Sequence, residues 1–169
     1  MLYRLSPIAT ALLVACASGA VDKDVPQYSL YSGPRTYRTP YGPAEAAWTA
    51  LPFNRTYSQL TEEQKERFKS LYVDISKADE PPYPAEGLVA IYGPIAEAQA
   101  RLGVEGVLDM EVSIDTDGQA TQVEVFKTPS KKASDFVAHL AVLTKFKPGI
   151  CGGSPCKMAF PIKVTFKVE

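Results

Sequence analysis

Histidine is nearly absent: His139 is the single one in 169 residues, beside three cysteines. A structural zinc site takes four ligands, mostly from these two residue types, so zinc is not expected. Cation excess is missing too. Lys and Arg total 18 against 19 Asp and Glu, for a formal net charge of -1, which lacks the basic footprint of a nucleic-acid binder. There is no acidic tail, no glycine-rich phosphate loop and no cluster of metal-ligand residues, so no cofactor is expected. No apolar run reaches the roughly 18 residues that span a bilayer. What is present is a chain 46% hydrophobic and 22% charged, enough for one modest domain and a leader.

The leader is MLYRLSPIATALLVACASGAVD. Arg4 precedes an apolar stretch from Leu5 to Val14, and small residues follow, which is the layout of an export signal over residues 1–15. Leu13-Val14-Ala15-Cys16 resembles the lipobox of bacterial lipoproteins. The resemblance implies cleavage before Cys16, acylation of that residue, and stable anchoring by several chains. With Ala17 after the cysteine, the resemblance also implies sorting to the outer membrane. Cleavage after Ala17 or Ala20 would instead release a soluble periplasmic protein, and an uncleaved signal would leave an inner-membrane anchor. All three place the remainder outside the cytoplasm. In that oxidising compartment Cys151 and Cys156, within ICGGSPCKMAF, are expected to be paired. Their spacing is not the Cys-x-x-Cys of a redox pair. The expectation is a structural clasp contributing about 2 kcal/mol.

Residues 16–57 read as a linker. Prolines at 26, 34, 40, 43 and 52 preclude regular helix or central strand. Tyrosines at 28, 31, 37, 41 and 57 make it either an extended spacer or an adhesive strip lying on its own domain or on another envelope component. Ala44–Leu51 has room for one or two helical turns presenting Trp48. Residues 58–80 read as an amphipathic helix segment. Thr61 and Gln64 form a capping box, Glu62 and Glu63 suit the first turn, and Phe68, Leu71, Tyr72 and Ile75 recur at helical spacing. About three to four turns are expected before Pro81-Pro82.

Residues 81–169 alternate between periods. GPIAEAQARLG predicts a helix with Pro94 in its first turn and Gly103 at its end. EGVLDMEVSIDTDGQATQVEVFKT predicts a hairpin turning at Asp117-Gly118. Leu108, Met110, Val112 and Ile114 face one way with Val123 and Val125; Asp109, Glu111 and Ser113 face the other. The acidic residues Asp109, Glu111, Asp115 and Asp117 are read as a solvated strand face and turn. SKKASDFVAHLAVLTKF predicts a helix with Phe136, Leu140 and Leu143 on one stripe beside Val137 and Ala141, stopped by Lys147-Pro148-Gly149. MAFPIKVTFKVE alternates again, with Phe160, Ile162, Val164, Phe166 and Val168 inward and Lys163, Thr165 and Lys167 outward. The expected fold class is α+β: a small antiparallel three-stranded sheet packed on helices.

From about Pro82 onward the chain resembles the TonB C-terminal domain family. Tyr83-Pro84 precedes the first helix, Gly106 opens the first long strand, Asp117-Gly118 makes the turn, and Pro148 lies in FKPG where the family has Phe-x-Pro-Ala. Members of that family bind outer-membrane receptors by adding a short receptor segment to the sheet edge. The resemblance therefore implies a non-enzymatic envelope module whose partner docks along Phe160, Ile162, Lys163, Val164, Thr165, Phe166 and Lys167. Pro161 and the two lysines suit an edge strand. At about 1 kcal/mol per hydrogen bond, against an association cost of roughly 4–15 kcal/mol, such binding is weak unless side chains contribute. Two alternatives stand beside it. One is an inner-membrane energy transducer for receptor transport, although the roughly 64 residues from Ala17 to Glu80 reach only about 45 Å as coil. The other is a structural lipoprotein of a cell-wall, secretion or motor assembly. The candidate dyad of Asp135 and His139 beside Ser134 does not orient a nucleophile onto a base, so no enzyme is expected. Oligomeric state is open.

Overall fold

The computed structural model describes residues 28–30, 51–73 and 75–167. The expectations for the export signal, Cys16, Trp48 and Val168 lie outside these residues.

The hairpin forms where alternation and turn chemistry place it. Strand β3 (Gly106–Ile114) and strand β4 (Ala120–Lys127) pair antiparallel. The turn is held by Asp115, whose Oδ1 accepts from the amides of Asp117 (2.9 Å) and Gln119 (2.8 Å). Gly118 has φ +79°, and a Cβ there would run into the Phe146 carbonyl oxygen. Both facts require glycine. The last long strand, β8 (Met158–Phe166), pairs antiparallel with the other side of β3. The hairpin's first strand therefore lies between the other two.

The sheet has a fourth member. Residues Tyr28–Leu30, inside the proline-rich segment, form strand β1, which lies parallel to β4 with Tyr28, Ser29 and Leu30 in register with Val123, Glu124 and Val125. The strand order is β1-β4-β3-β8. Three residues between Pro26 and Pro34 suffice for an edge strand, and local composition does not reveal the pairing.

Three helices carry the core. Helix α1 (Glu62–Lys69) has the expected capping box: Gln64 N–H donates to Thr61 Oγ1 and Thr61 N–H to Gln64 Oε1. It is only eight residues long, shorter than its apolar spacing suggests. At its end the amides of Leu71 and Tyr72 bond back three residues, to Phe68 and Lys69. Lys69 Nζ donates to the Lys77 carbonyl at 2.7 Å, so the chain doubles back. Tertiary burial of Leu71 and Tyr72 overrides helix continuation.

Helix α2 (Val89–Leu102) starts five residues before Pro94 rather than at it. Burial of Leu88, Ile91 and Ile95 at helical spacing draws the start upstream, and the proline is accommodated inside. Gly103 ends it in the left-handed conformation, as expected. Helix α3 (Lys131–Leu143), capped by Ser130, is rotated from the predicted stripe. Ala133, Ser134, Val137, Ala138 and Ala141 are buried, while Leu143 is 82% exposed. Small residues let the helix approach closely, so the larger stripe is displaced outward. It ends at Thr144, whose hydroxyl caps the Leu140 carbonyl, before Lys147-Pro148-Gly149 is reached.

The reading of the acidic hairpin face as solvated also needs correction. Glu111 (3% exposed) and Ser113 are buried, not solvated. Both lie on the central strand, with Glu111 in register with Glu124 on one side and Pro161 on the other. A central position covers them from both sides.

One core spans the segment boundaries. Leu51, Tyr57, Leu60, Phe68, Leu71 and Tyr72 share it with Tyr83, Phe146 and Phe160. The Phe68 ring packs 5.1 Å from Tyr83, 5.8 Å from Tyr72, 6.2 Å from Phe160 and 6.5 Å from Tyr57. Residues 51–80 are thus part of the same hydrophobic body as the sheet. Phe68→Ala is expected to cost about 3–5 kcal/mol in urea unfolding and to loosen sheet and helices together; loss confined to residues 58–80 would contradict a shared core.

Candidate functional site

With the sheet in place, the groups available to a partner are those of its outer strands. On β8 the core face carries Phe160, Ile162 and Phe166, all buried, with Val164 half-buried; Lys163, Thr165 and Lys167 are exposed. Asp109 is in register with Lys127 on one side and Lys163 on the other, an arrangement of opposite charges that favours this alignment.

In an antiparallel ladder, alternate residues turn their backbone groups away from the partner strand. On β8 those positions include Ala159, Pro161 and Lys163. Pro161 has no N–H to offer there, which suits an edge. Side chains meet several of the others. The Tyr72 hydroxyl donates to the Ala159 carbonyl at 3.1 Å, in a buried bond. The Tyr92 phenol sits against the Lys163 backbone amide. Just beyond the strand, Gln99 Nε2 donates to the Lys167 carbonyl at 3.1 Å. Tyr72 follows α1, and Tyr92 and Gln99 belong to α2. The candidate docking strand is therefore at the edge, but its outer side is partly covered by these three side chains. Sequence reading missed them because nothing local marks a tyrosine or glutamine as an edge cover.

The opposite edge is that of β4. Its eight residues carry the three of β1 as neighbour.

The start of β8 is held by the clasp. Cys151 and Cys156 are disulfide-bonded, with Cα atoms 5.8 Å apart. They close the small hairpin of β6 (Gly149–Cys151) and β7 (Ser154–Cys156). Gly152 and Gly153, both at positive φ, form its tip. Asp79 Oδ1 accepts from the Gly152 amide at 2.9 Å, and Glu80 and Ile150 exchange both backbone bonds. Next to them β2 (Tyr83–Pro84) pairs with β5 (Phe146–Lys147). The resemblance residues Tyr83, Pro84 and Pro148 thus lie on one seam joining residues 79–84 to 146–152, and Gly118 adjoins it through its carbonyl, which accepts from the Phe146 amide. Gly106 stands apart, at the start of β3 with φ +129° beside Pro129.

A surface recess of about 550 Å³ opens beside this seam, lined by Thr56, Tyr57, Lys65, Glu80 and Lys147 among others. Its cations are engaged. Lys147 Nζ reaches Glu80 (3.1 Å) and the carbonyls of Pro148 (3.0 Å) and Pro81 (3.4 Å), and lies 4.6 Å from the Tyr57 ring centre. Lys65 pairs with Glu62 at 2.7 Å. The recess braces the seam rather than offering a charged subsite.

Elsewhere, the Ser134 hydroxyl donates to the Lys131 carbonyl at 3.0 Å, and His139 Nδ1 lies 2.7 Å from the Asp135 carbonyl of its own helix turn. Asp135 itself pairs with Lys131. These side chains are not brought together as a nucleophile and base. Among the described residues no group of three or more His, Cys, Asp or Glu could hold a metal ion, and no helix is long and apolar enough to cross a membrane.

Compared with known proteins, the chain matches no family model and no curated protein. The functional reading rests on the geometry of the sheet.

Replacing both Cys151 and Cys156 by Ser is expected to lower stability by about 2 kcal/mol, with backbone amide exchange rising first at Gly149–Met158. In the native protein neither thiol should react with an alkylating agent until reduced; ready labelling would remove the clasp. Burial pushes the Tyr83 phenol up to about 12, and its hydroxyl has no hydrogen-bond partner among the described residues. Because the folded value lies above the unfolded value of about 10, this contribution is whole below pH ~10 and is lost as pH rises from about 10 to 12. Tyr83→Phe should therefore leave stability at pH 7 unchanged or raise it by up to ~1 kcal/mol, and make the alkaline decline shallower. A clear loss at pH 7 would show that the hydroxyl is satisfied.

Proposed function

We propose that this protein is a non-enzymatic interaction module of the cell envelope, which takes up an extended segment of a protein partner at an edge of its sheet. The observation that supports this reading is the sheet itself. It contains an antiparallel hairpin and a returning strand with a helix between them in sequence, in the order of the TonB-like resemblance, beside the short parallel strand β1, and its edges are backbone surfaces on which a further strand can pair. Main-chain pairing of that kind supplies affinity, and alternate side chains supply selectivity. An N-terminal lipid on Cys16 would hold the module at the outer membrane, with the clasp at Cys151 and Cys156 suited to the oxidising side.

Two measurements test the proposal. Mass spectrometry of the mature N-terminus should find an acylated Cys16; an intact Met1 would overturn the outer-membrane placement and favour an inner-membrane transducer. Photo-crosslinkers at Thr121 on β4 and Thr165 on β8, introduced separately into the full-length protein in its own envelope, should capture an outer-membrane or periplasmic protein from at least one edge. Recovery only of cell-wall material would favour the structural reading. Absence of capture at both edges would remove strand addition.

A further inference from the structure

We infer that the Cys151–Cys156 clasp is a site of reversible thiol–disulfide exchange, opened by a dithiol protein that attacks Cys151. Its opening loosens the seam while the fold persists. The inference stands apart from the strand-addition reading, because it assigns a covalent partner to a loop that strand pairing does not use.

The two sulfurs are unequally placed. Cys151 is exposed together with the tip as far as Pro155, whereas Cys156 is half-buried and packs against the core. A side chain built at Gly152 or Gly153 would meet nothing within 4 Å. The approach to Cys151 across the tip is therefore open, and Cys156 is the sulfur left behind when the bridge breaks.

The fold also holds this bridge closed only weakly. Closing so short a loop favours the folded chain by about thirtyfold, against about three-thousandfold for a bridge around a hundred residues. Linkage makes the reverse equally true: folding favours this disulfide over its dithiol by the same thirtyfold. Exposed bridges of this kind are the labile ones.

The exchange balances with a dithiol. The partner's thiolate attacks Cys151 Sγ, the Sγ–Sγ bond breaks, and Cys156 leaves as a thiolate that takes a proton from solvent. The partner's second thiol gives up its proton and attacks the partner's own sulfur in the mixed disulfide, releasing Cys151, which is protonated in turn. The clasp gains two electrons and two protons, and the partner is oxidised to a disulfide. The clasp is the substrate of this exchange; its spacing is not that of a redox catalyst.

What the exchange changes is the seam. The clasped hairpin carries Gly152, whose amide donates to Asp79, and Ile150, which exchanges both backbone bonds with Glu80. With the bridge open, Gly149–Cys151 and Ser154–Cys156 keep only their three paired positions. The tip and residues 79–80 then open together at low cost. The rings of Phe68, Tyr83, Phe146 and Phe160 stay packed on one another without the bridge. The body remains folded and keeps the two thiols near enough to close again.

The test uses the full-length protein and two probes, dithiothreitol and a thioredoxin lacking its second cysteine. Dithiothreitol should reduce the native clasp at a rate within about tenfold of that for an oxidised peptide of residues 149–158. Reduction more than a hundredfold slower than the peptide, or reduction only together with global unfolding, would overturn the inference. The thioredoxin variant should be trapped as a mixed disulfide that peptide mass mapping places on Cys151. Trapping on Cys156, or no trapping while dithiothreitol still acts, would overturn it too. On reduction, backbone amide shifts should move at 79–80 and 149–158 and stay in place at Phe68, Tyr83 and Phe160. Shifts confined to 151–156 would show that the clasp does not govern the seam and overturn the inference. As a second measurement, the chain with Cys151→Ser and Cys156→Ser should show the reduced pattern without any thiol and no response to dithiothreitol; the oxidised pattern in that chain would overturn it.

Discussion

The packing of Phe68 between Tyr83 and Phe160 is the interaction on which the rest of the structure depends. It joins three stretches of chain that are remote in sequence: the helix before the double proline, the short strand after it, and the final strand of the sheet. Tyr57, Tyr72 and Phe146 extend the same cluster. Once these rings are buried, the segment around Glu80 is carried against Ile150, and the clasped hairpin is placed at the start of β8. The seam from Asp79 to Pro84 is thus a consequence of aromatic packing, with backbone pairing fitted to it. Removing water from several large rings provides the driving force, and the paired backbone keeps that burial from stranding polar groups.

The same packing determines how the sheet meets its surroundings. Tyr72 is positioned by its contact with Phe68, and its hydroxyl then falls on the outward carbonyl of Ala159. Helix α2 adds Tyr92 and Gln99 along the same edge. An exposed strand edge invites pairing with other chains, and covering it is a common protection. Here the core that builds β8 also guards it, whereas β4 is covered by a borrowed piece of the segment before the core.

Local chemistry was legible wherever the determinants sit within a few residues of one another. The Thr61–Gln64 capping box, the Asp117-Gly118 turn, the Gly103 helix stop, the period-two runs of β3, β4 and β8, and the pairing of Cys151 with Cys156 all follow from neighbours in sequence. The misreadings share a different cause. Helix α1 ends early because Leu71 and Tyr72 are claimed by the core; α2 begins early because Leu88 and Ile91 are. Helix α3 turns its small residues inward because the sheet surface leaves little room, which puts Leu143 outside. Glu111 is buried because its strand is central, a fact no alternation pattern contains.

The candidate site divides the same way. Alternation, Pro161 and the flanking lysines mark β8 as an edge strand, since each is a property of the strand alone. That Tyr72, Tyr92 and Gln99 cover that edge, and that Tyr28–Leu30 occupies the other, depends on contacts between residues separated by tens of positions. By itself the sequence determined the helices, the three long strands and the hairpin turn, because backbone propensity and side-chain periodicity act at short range. Only the tertiary structure decided which edge side chains partly cover and which carries Tyr28–Leu30, because burial of the aromatic core selects among long-range pairings that are locally equivalent.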